Sequence, residues 1–179
     1  MTFSRPKKRP YSEDELYEYA LGALARRMRT VAELKRLFRA RVEDAESEYG
    51  QTLIELVIRR LKDRGYLNDS QYAAYFSSLR RDNQKFGRMR VVTDLKVKGV
   101  HGDVIEKAVD AAFESISEEQ QAREYLRRKR IVKPKDQKAT TRVFRQLARA
   151  GFGTKTIFTI LKNWKVDEET LSGLESEIA

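Results

Sequence analysis

The side chains best equipped for chemistry in this sequence are cationic, and they occur in three clusters. Arg26 to Arg41 holds Arg26, Arg27, Arg29, Lys35, Arg36, Arg39 and Arg41 against Glu33 alone, a net charge of +6. Arg80 to Lys98 holds Arg80, Arg81, Lys85, Arg88, Arg90, Lys96 and Lys98 against Asp82 and Asp94, a net of +5. Arg123 to Arg149 holds eleven basic residues against Glu124 and Asp136, a net of +9, densest at Arg127, Arg128, Lys129 and Arg130 and continuing to Arg142 and Arg145. Guanidinium and ammonium groups packed this closely bind anions, and each phosphate they neutralise releases a counterion and steepens the salt dependence of binding. The whole chain follows suit, with 37 Lys and Arg against 27 Asp and Glu and a formal charge of +10, which favours a polyanionic partner such as nucleic acid. A single cluster is equally well read as the solvated face of a helix; three at equivalent places weaken that reading.

Other chemistries are poorly supplied. The 179 residues contain no cysteine and one histidine, which removes disulfides, thiolate nucleophiles, Cys-ligated zinc and any multi-histidine metal site. His101 has no partner constellation and reads as an exposed turn residue. Gly151-Phe152-Gly153-Thr154-Lys155 is glycine-rich ahead of a helix but lacks the order and spacing of a phosphate-cradling loop. Glu43, Asp44, Glu46 and Glu48 have the ligand type for magnesium, although a charged loop needs no such role. Tyr66, Tyr72, Tyr75 and Tyr125 lie near basic residues where they could stack on bases; their spacing around Phe76, Leu79 and Leu126 instead suits core contacts with exposed hydroxyls. A non-enzymatic protein without metal or cofactor is expected. The basic start lacks the apolar stretch of a secretory leader and no run approaches the roughly 18 apolar residues of a membrane span, so a soluble cytosolic protein is expected.

The elements that must position the cations read as helices throughout. Only Pro6, Pro10 and Pro134 occur, leaving Tyr11 to Lys133 free of helix breakers. Leu53, Ile54, Val57, Ile58 and Leu61 form one apolar stripe at helical spacing, repeated by Val104, Ile105, Ala108, Val109, Ala112, Phe113 and Ile116 and by Ile157, Ile160, Leu161 and Trp164. Ser12 with Glu15, Thr30 with Glu33 and Ser117 with Gln120 fit the capping box, and Asn68, Asp69 and Ser70 offer a further cap. Gly65, Gly99 and Gly151 follow amphipathic runs as left-handed stop residues. The pattern predicts helices near 13–28, 31–40, 51–64, 70–82, 88–98, 103–116, 118–130, 138–150, 154–164 and 168–177.

Aligning the turns at Val42, Gly99-Val100 and Gly151-Phe152 superposes Leu37, Leu95 and Leu147, and also Leu34, Val92 and Phe144. The expected fold is therefore all-α with no sheet: an elongated tandem array of three three-helix repeats, nine or ten helices in all, spanning roughly 60 to 80 Å. The expected segments are a flexible basic arm (1–10), repeats at 11–67, 68–116 and 117–164, and an acidic tail or short helix (165–179), with an acidic insertion at 43–50 in the first repeat alone.

Several residues, taken in order, resemble the RecX family of bacterial regulators of the RecA recombinase. They are Ala25-Arg26-Arg27, Ala32-Glu33-Leu34 and Leu37, then Arg64-Gly65-Tyr66-Leu67-Asn68-Asp69-Ser70-Gln71-Tyr72. Phe86-Gly87, Arg90, Val91, Asp94-Leu95, Lys98-Gly99-Val100 and Leu147-Ala148-Arg149-Ala150-Gly151-Phe152 continue the match, which covers nearly all of Ala20 to Trp164. Asn68 and Gln71 depart from the family's usual acidic and basic residues, and helix capping survives both changes. The resemblance implies tandem three-helix repeats, no catalysis, and binding to RecA filaments on single-stranded DNA with inhibition of their growth or promotion of their disassembly. RecA and the RecA–single-stranded DNA filament are then the partners of a monomer, with direct contact to DNA as a further option. Arg26, Arg27, Lys35, Arg36, Arg81, Arg88, Arg90, Lys98, Arg127, Arg128, Lys129, Arg130, Arg142 and Arg145 are the expected contact residues. Gly65, Tyr66, Leu67, Asp69, Gly87, Leu95, Gly99 and Gly151 are expected to be architectural. Two rival readings remain: a helix-turn-helix reader of one duplex sequence, and a non-specific nucleic-acid binder acting without RecA.

Overall fold

The computed structural model describes residues 8–178 and, among them, contains ten α-helices and no strand. They are α1 (Glu13–Arg26), α2 (Val31–Arg39), α3 (Glu48–Asp63), α4 (Asp69–Gln84), α5 (Arg88–Val97), α6 (Gly102–Phe113), α7 (Glu118–Arg128), α8 (Gln137–Arg149), α9 (Thr154–Asn163) and α10 (Glu168–Ile178). All ten expected helices are present. The capping boxes of α1 and α2 form in full: Ser12 and Thr30 accept from the amides of Glu15 and Glu33, whose carboxylates accept from the cap amides in return. At α7 only half of the motif forms, because Ser117 accepts from the Gln120 amide without the reciprocal bond. Asn68 Oδ1 accepts from the amides of Ser70 and Gln71, both at 3.0 Å, opening α4.

Contacts divide the chain into two compact units. The first comprises the chain up to Ala73 with Leu95–Ile105, the second Ala74–Asp94 with the chain from Glu106 onward. The residues of α4, α5 and α6 are thus distributed over both.

In the first unit, α1 and α2 pack against α3. Leu16, Tyr17, Ala20 and Ala23 meet Leu34 and Phe38 and the stripe Leu53, Ile54, Val57, Ile58 and Leu61, all buried. Arg60 joins α3 to α1, with its guanidinium 3.1 Å from Glu13, 2.7 Å from Asp14 and stacked 4.1 Å from the Tyr17 ring. Residues 1–7 of the expected arm lie outside the described residues, but Arg9 is held: its amide donates to Arg41 and its carbonyl accepts from Glu43, forming an isolated parallel bridge with Val42. The acidic insertion is a tight turn into α3, which begins at Glu48, three residues before the expected start. Ser47 caps it by accepting from the Gly50 amide at 3.1 Å.

In the second unit, α7, α8, α9 and α10 share a core of Ala122, Tyr125, Leu126, Val143, Phe144, Leu147, Phe152, Ile157, Phe158, Ile160 and Leu161. Leu171 and Leu174 of α10 are buried in it, so the acidic end of the chain is a packed helix and more than a solvated tail.

The repeat register differs by one residue from the sequence alignment. The buried positions are Leu34 and Phe38 in α2, Val91 and Leu95 in α5, and Val143, Phe144 and Leu147 in α8, whereas Leu37 and Val92 are only partly covered. The cause is the turn. Val100 and Phe152 donate to carbonyls five residues back, Leu95 and Leu147, across left-handed Gly99 and Gly151, while Val42 donates to Phe38 four residues back with no glycine between. The first repeat closes its turn one residue earlier.

Candidate functional site

α8 is a basic helix with one apolar and one cationic face. Asp136 opens it by accepting from the Ala139 amide at 2.7 Å. Thr140, Val143, Phe144 and Leu147 face the core of the second unit, and the Thr140 hydroxyl is satisfied by donating to the Asp136 carbonyl at 2.9 Å. The opposite side carries Lys138, Arg142, Arg145 and Arg149, all exposed, at i, i+4, i+7 and i+11, a spacing that aligns them along one face of the helix. They form one wall of a recess of about 720 Å³, completed by Thr141 and Gln146 of α8, by Phe86 and Arg90, and by Tyr125 and Lys129. Six cations line this space and no carboxylate does.

The recess depends on a close approach between the start of α5 and the end of α8. The Gly87 amide donates to the Ala150 carbonyl at 2.9 Å and the Met89 amide to the Gly151 carbonyl at 3.2 Å. A side chain at Gly87 would collide with the Gly151 carbonyl, and one at Gly151, where φ is +89°, with the backbone of Arg90. Glycine is required at both places, and the expected architectural role of this pair has a specific content: it sets Arg90 beside α8. The Arg90 guanidinium lies 3.0 Å from Asp94, 3.4 Å from the Arg149 carbonyl and 5.5 Å from the Phe86 ring. Phe86 is in turn 6.2 Å from Tyr125, which meets Phe152 edge-on at 5.7 Å.

Of the fourteen expected contact residues, the recess gathers Arg90, Lys129, Arg142 and Arg145. It adds Lys138 and Arg149, which had not been singled out; their place on the basic face of α8 is the sequence signal that marks them. Other cations of the second unit serve different contacts. Arg81 forks onto Asp82 at 2.7 and 2.8 Å and donates to the Ala112 carbonyl; Arg88 pairs with Asp110; Arg127 pairs with Glu124 at 2.7 Å. Arg128 and Arg130 are exposed outside the recess, Arg130 in the left-handed conformation with φ +53°.

The first unit likewise uses its cations on its own chain. Arg26 and Arg36 donate to the carbonyls of Gly22 and Ala32 one turn back, Lys35 pairs with Glu55, and Arg27 lies 3.8 Å from Glu33. Lys98 is the innermost, its ammonium 3.0 Å from a Glu33 carboxylate that is only 13% exposed. Burial pushes the Glu33 carboxyl up, but the bond from Lys98, its charge and the cap amide of Thr30 hold it below its ordinary value. Beside this pair, the fully buried Thr30 donates to the Lys98 carbonyl at 2.7 Å. Asp69 accepts from the Val31 amide at 2.9 Å, and burial raises its carboxyl despite that bond. Leu67 and Leu95 are core residues, Gly65 is left-handed with φ +77°, and Gly99, with φ +76°, lies against Ala32.

Two of the four tyrosines read as core residues are corrected. Tyr72 and Tyr125 are buried, but Tyr66 is 57% and Tyr75 59% exposed. The ring of Tyr66 follows the helix-ending Gly65 into solvent. His101 is exposed beside Asp103, as a turn residue would be. Among the described residues, no three His, Cys, Asp or Glu residues are grouped as a metal site, and no helix is long and apolar enough to cross a membrane.

Comparison with known proteins adds ancestry to this geometry. The chain is 33% identical over 162 residues to Regulatory protein RecX of Deinococcus radiodurans, covering 88% of this chain and 72% of that protein. It is 33% identical over 159 residues to Regulatory protein RecX of Myxococcus xanthus, covering 83% of each. The chain belongs to the RecX family. No family model matches it. The fold agrees with solved RecX structures: one titled regulatory protein RecX superposes with a TM-score of 0.62 over 84% of this chain and 71% of that one, at 19% identity. RecX from Lactobacillus salivarius gives a TM-score of 0.61 over 86% and 96%, also at 19% identity. The glycines that bring α5 against α8 lie within the segments by which the sequence resembles other RecX proteins.

Proposed function

We propose that this chain is a negative modulator of the RecA recombinase, binding the RecA filament on single-stranded DNA and inhibiting its extension or promoting its disassembly. ATPase, strand exchange and coprotease activity fall as the filament shrinks. The observation that carries this reading is the 33% identity to Regulatory protein RecX over 88% of the chain. The cationic recess supports it, since a nucleoprotein filament is a polyanion along which Arg and Lys contacts accumulate.

The action is one of binding alone and needs no cofactor. A protein that binds one filament state better than another shifts the equilibrium by that difference in affinity, and a tenfold preference is worth about 1.4 kcal/mol. The chain acts as a cytoplasmic monomer. Arg128, Lys129 and Arg130, exposed in succession at the end of α7, belong to the surface presented to the filament.

Co-sedimentation with RecA filaments on circular single-stranded DNA tests this. The chain pellets with the filaments, and the variant Arg128→Glu with Lys129→Glu and Arg130→Glu remains in the supernatant with an unchanged helical spectrum. A wild-type chain that stays in the supernatant while filaments pellet defeats the reading.

A further inference from the structure

We propose that the recess beside α8 is a subsite for several successive phosphates of a single nucleic-acid strand, so that this part of the molecule holds DNA and not RecA. The inference rests on the filament reading only in assigning one ligand to one site.

The first argument is linear. Lys138, Arg142, Arg145 and Arg149 extend over eleven residues of one helix, about 16 Å at 1.5 Å per residue, with a cation roughly every 5 to 6 Å. A nucleic-acid strand carries its charges in a line at a similar scale, from about 3.4 Å apart when stacked as in a duplex to wider when extended. The row therefore accommodates three or four phosphates in sequence. The triphosphate of a free nucleotide is shorter and leaves one end of the row unmatched.

The second argument is composition. Arg90 and Lys129 approach the row from two other elements, and no carboxylate lines the space. Arg90 also holds Asp94 at 3.0 Å, a carboxylate that lies outside the lining of the recess. Six cations facing one recess favour an anion of high charge density. The acidic face of a folded protein usually interleaves carboxylates with other groups, whereas phosphodiesters repeat without interruption.

The third argument concerns strandedness. Phe86, half-buried, presents an aromatic surface within the recess, and Tyr125 lies behind it. Unpaired bases offer their faces to such rings and duplex bases do not. The close approach of α5 to α8 fixes this wall, so the site exists before the ligand arrives.

The test uses the full chain and fluorescein-labelled twelve-residue oligothymidylate, read by anisotropy from 50 to 200 mM NaCl with RecA absent. Each single-strand phosphate neutralised contributes about 0.7 to the slope of log affinity against log salt. Arg142→Ala with Arg145→Ala should lower the slope by about 1.4, so that the loss of affinity over this range shrinks about sevenfold. Lys138→Ala with Arg149→Ala should do the same, guarding against a local effect of the first pair. The charge-matched variant Lys107→Ala with Lys162→Ala, exposed and outside the recess, keeps the wild-type slope. Unchanged slopes in both recess variants overturn the proposal. So does equal affinity for a twelve-base-pair duplex, or displacement of the oligonucleotide by 1 mM inorganic triphosphate, which marks a small-anion pocket. Oligonucleotide binding that follows these expectations in a chain without effect on RecA supports the subsite and removes the filament reading, so the two fail separately.

Discussion

Replacement of Gly151 by alanine probes the contact on which the recess depends. The residue has φ of +89°, and a side chain there costs about 1 to 2 kcal/mol in any surroundings. The added Cβ would also lie 2.6 Å from the Cβ and 2.8 Å from the Cα of Arg90 and closer still to its amide nitrogen. These are mostly backbone atoms at the start of a helix, so relief requires α5 to move away from α8. That movement breaks the bonds from Gly87 to Ala150 and from Met89 to Gly151, each worth about 0.5 to 1.5 kcal/mol. The total is about 2 to 5 kcal/mol, a large part of the stability of an ordinary domain. Gly65 is the internal control, with φ of +77° and open space where its side chain would be, so Gly65→Ala should lose only the conformational part. Urea unfolding followed by circular dichroism at 222 nm measures both. Gly151→Ala should exceed Gly65→Ala by at least about 1 kcal/mol, from the two lost bonds alone. Equal losses refute the claim that α5 is seated on α8 through this glycine.

Three further outcomes are expected. The Glu33 carboxyl lies below its ordinary value in the folded state, so its contribution is complete above roughly pH 4.3 and disappears as the pH falls through the folded value. Thermal melts should show Glu33→Gln less stable than wild type at pH 7, with the gap closing toward pH 3; a gap independent of pH contradicts the pairing with Lys98. Glu118 of α7 accepts from the Gly153 amide at 2.9 Å and from the Thr156 hydroxyl, capping α9, whose own cap residue has no side chain. Glu118→Ala should cost about 1 to 2 kcal/mol in urea, and a neutral result rules out the cap. Lys165 is left-handed at the end of α9 with φ +53°, so Lys165→Gly should stabilise by up to about 1 kcal/mol in the same assay, against the loss expected of glycine elsewhere.

The helices were legible because their signals are local. Ser12, Thr30 and Asn68 cap within three residues, and the stripe from Leu53 to Leu61 needs only helical spacing. The repeat register was displaced because Val42 closes its turn without a left-handed glycine, so that Phe38, not Leu37, takes the core position. The exposed rings of Tyr66 and Tyr75 were hidden by the same logic, since nearby apolar residues do not reveal which way a side chain leaves the chain.

The site was legible as charge but not as place. Counting cations along the chain located the richest segment, while the recess follows the face of α8 and so includes Lys138 and Arg149 and leaves out Arg127. Partners distant in sequence were beyond that count: Glu55 for Lys35, Asp110 for Arg88, and Glu33 for Lys98. Arg90 entered the recess through two glycines that the sequence marked only as architectural.

The central claim, that the chain acts on the RecA filament, is tested most directly by RecA ATPase on single-stranded DNA with the chain added at well below one molecule per RecA. The account predicts progressive inhibition at sub-micromolar chain, as few molecules stop the growth of many protomers. An ATPase rate unchanged at those concentrations, with binding of the chain to the filaments verified in the same sample, contradicts it.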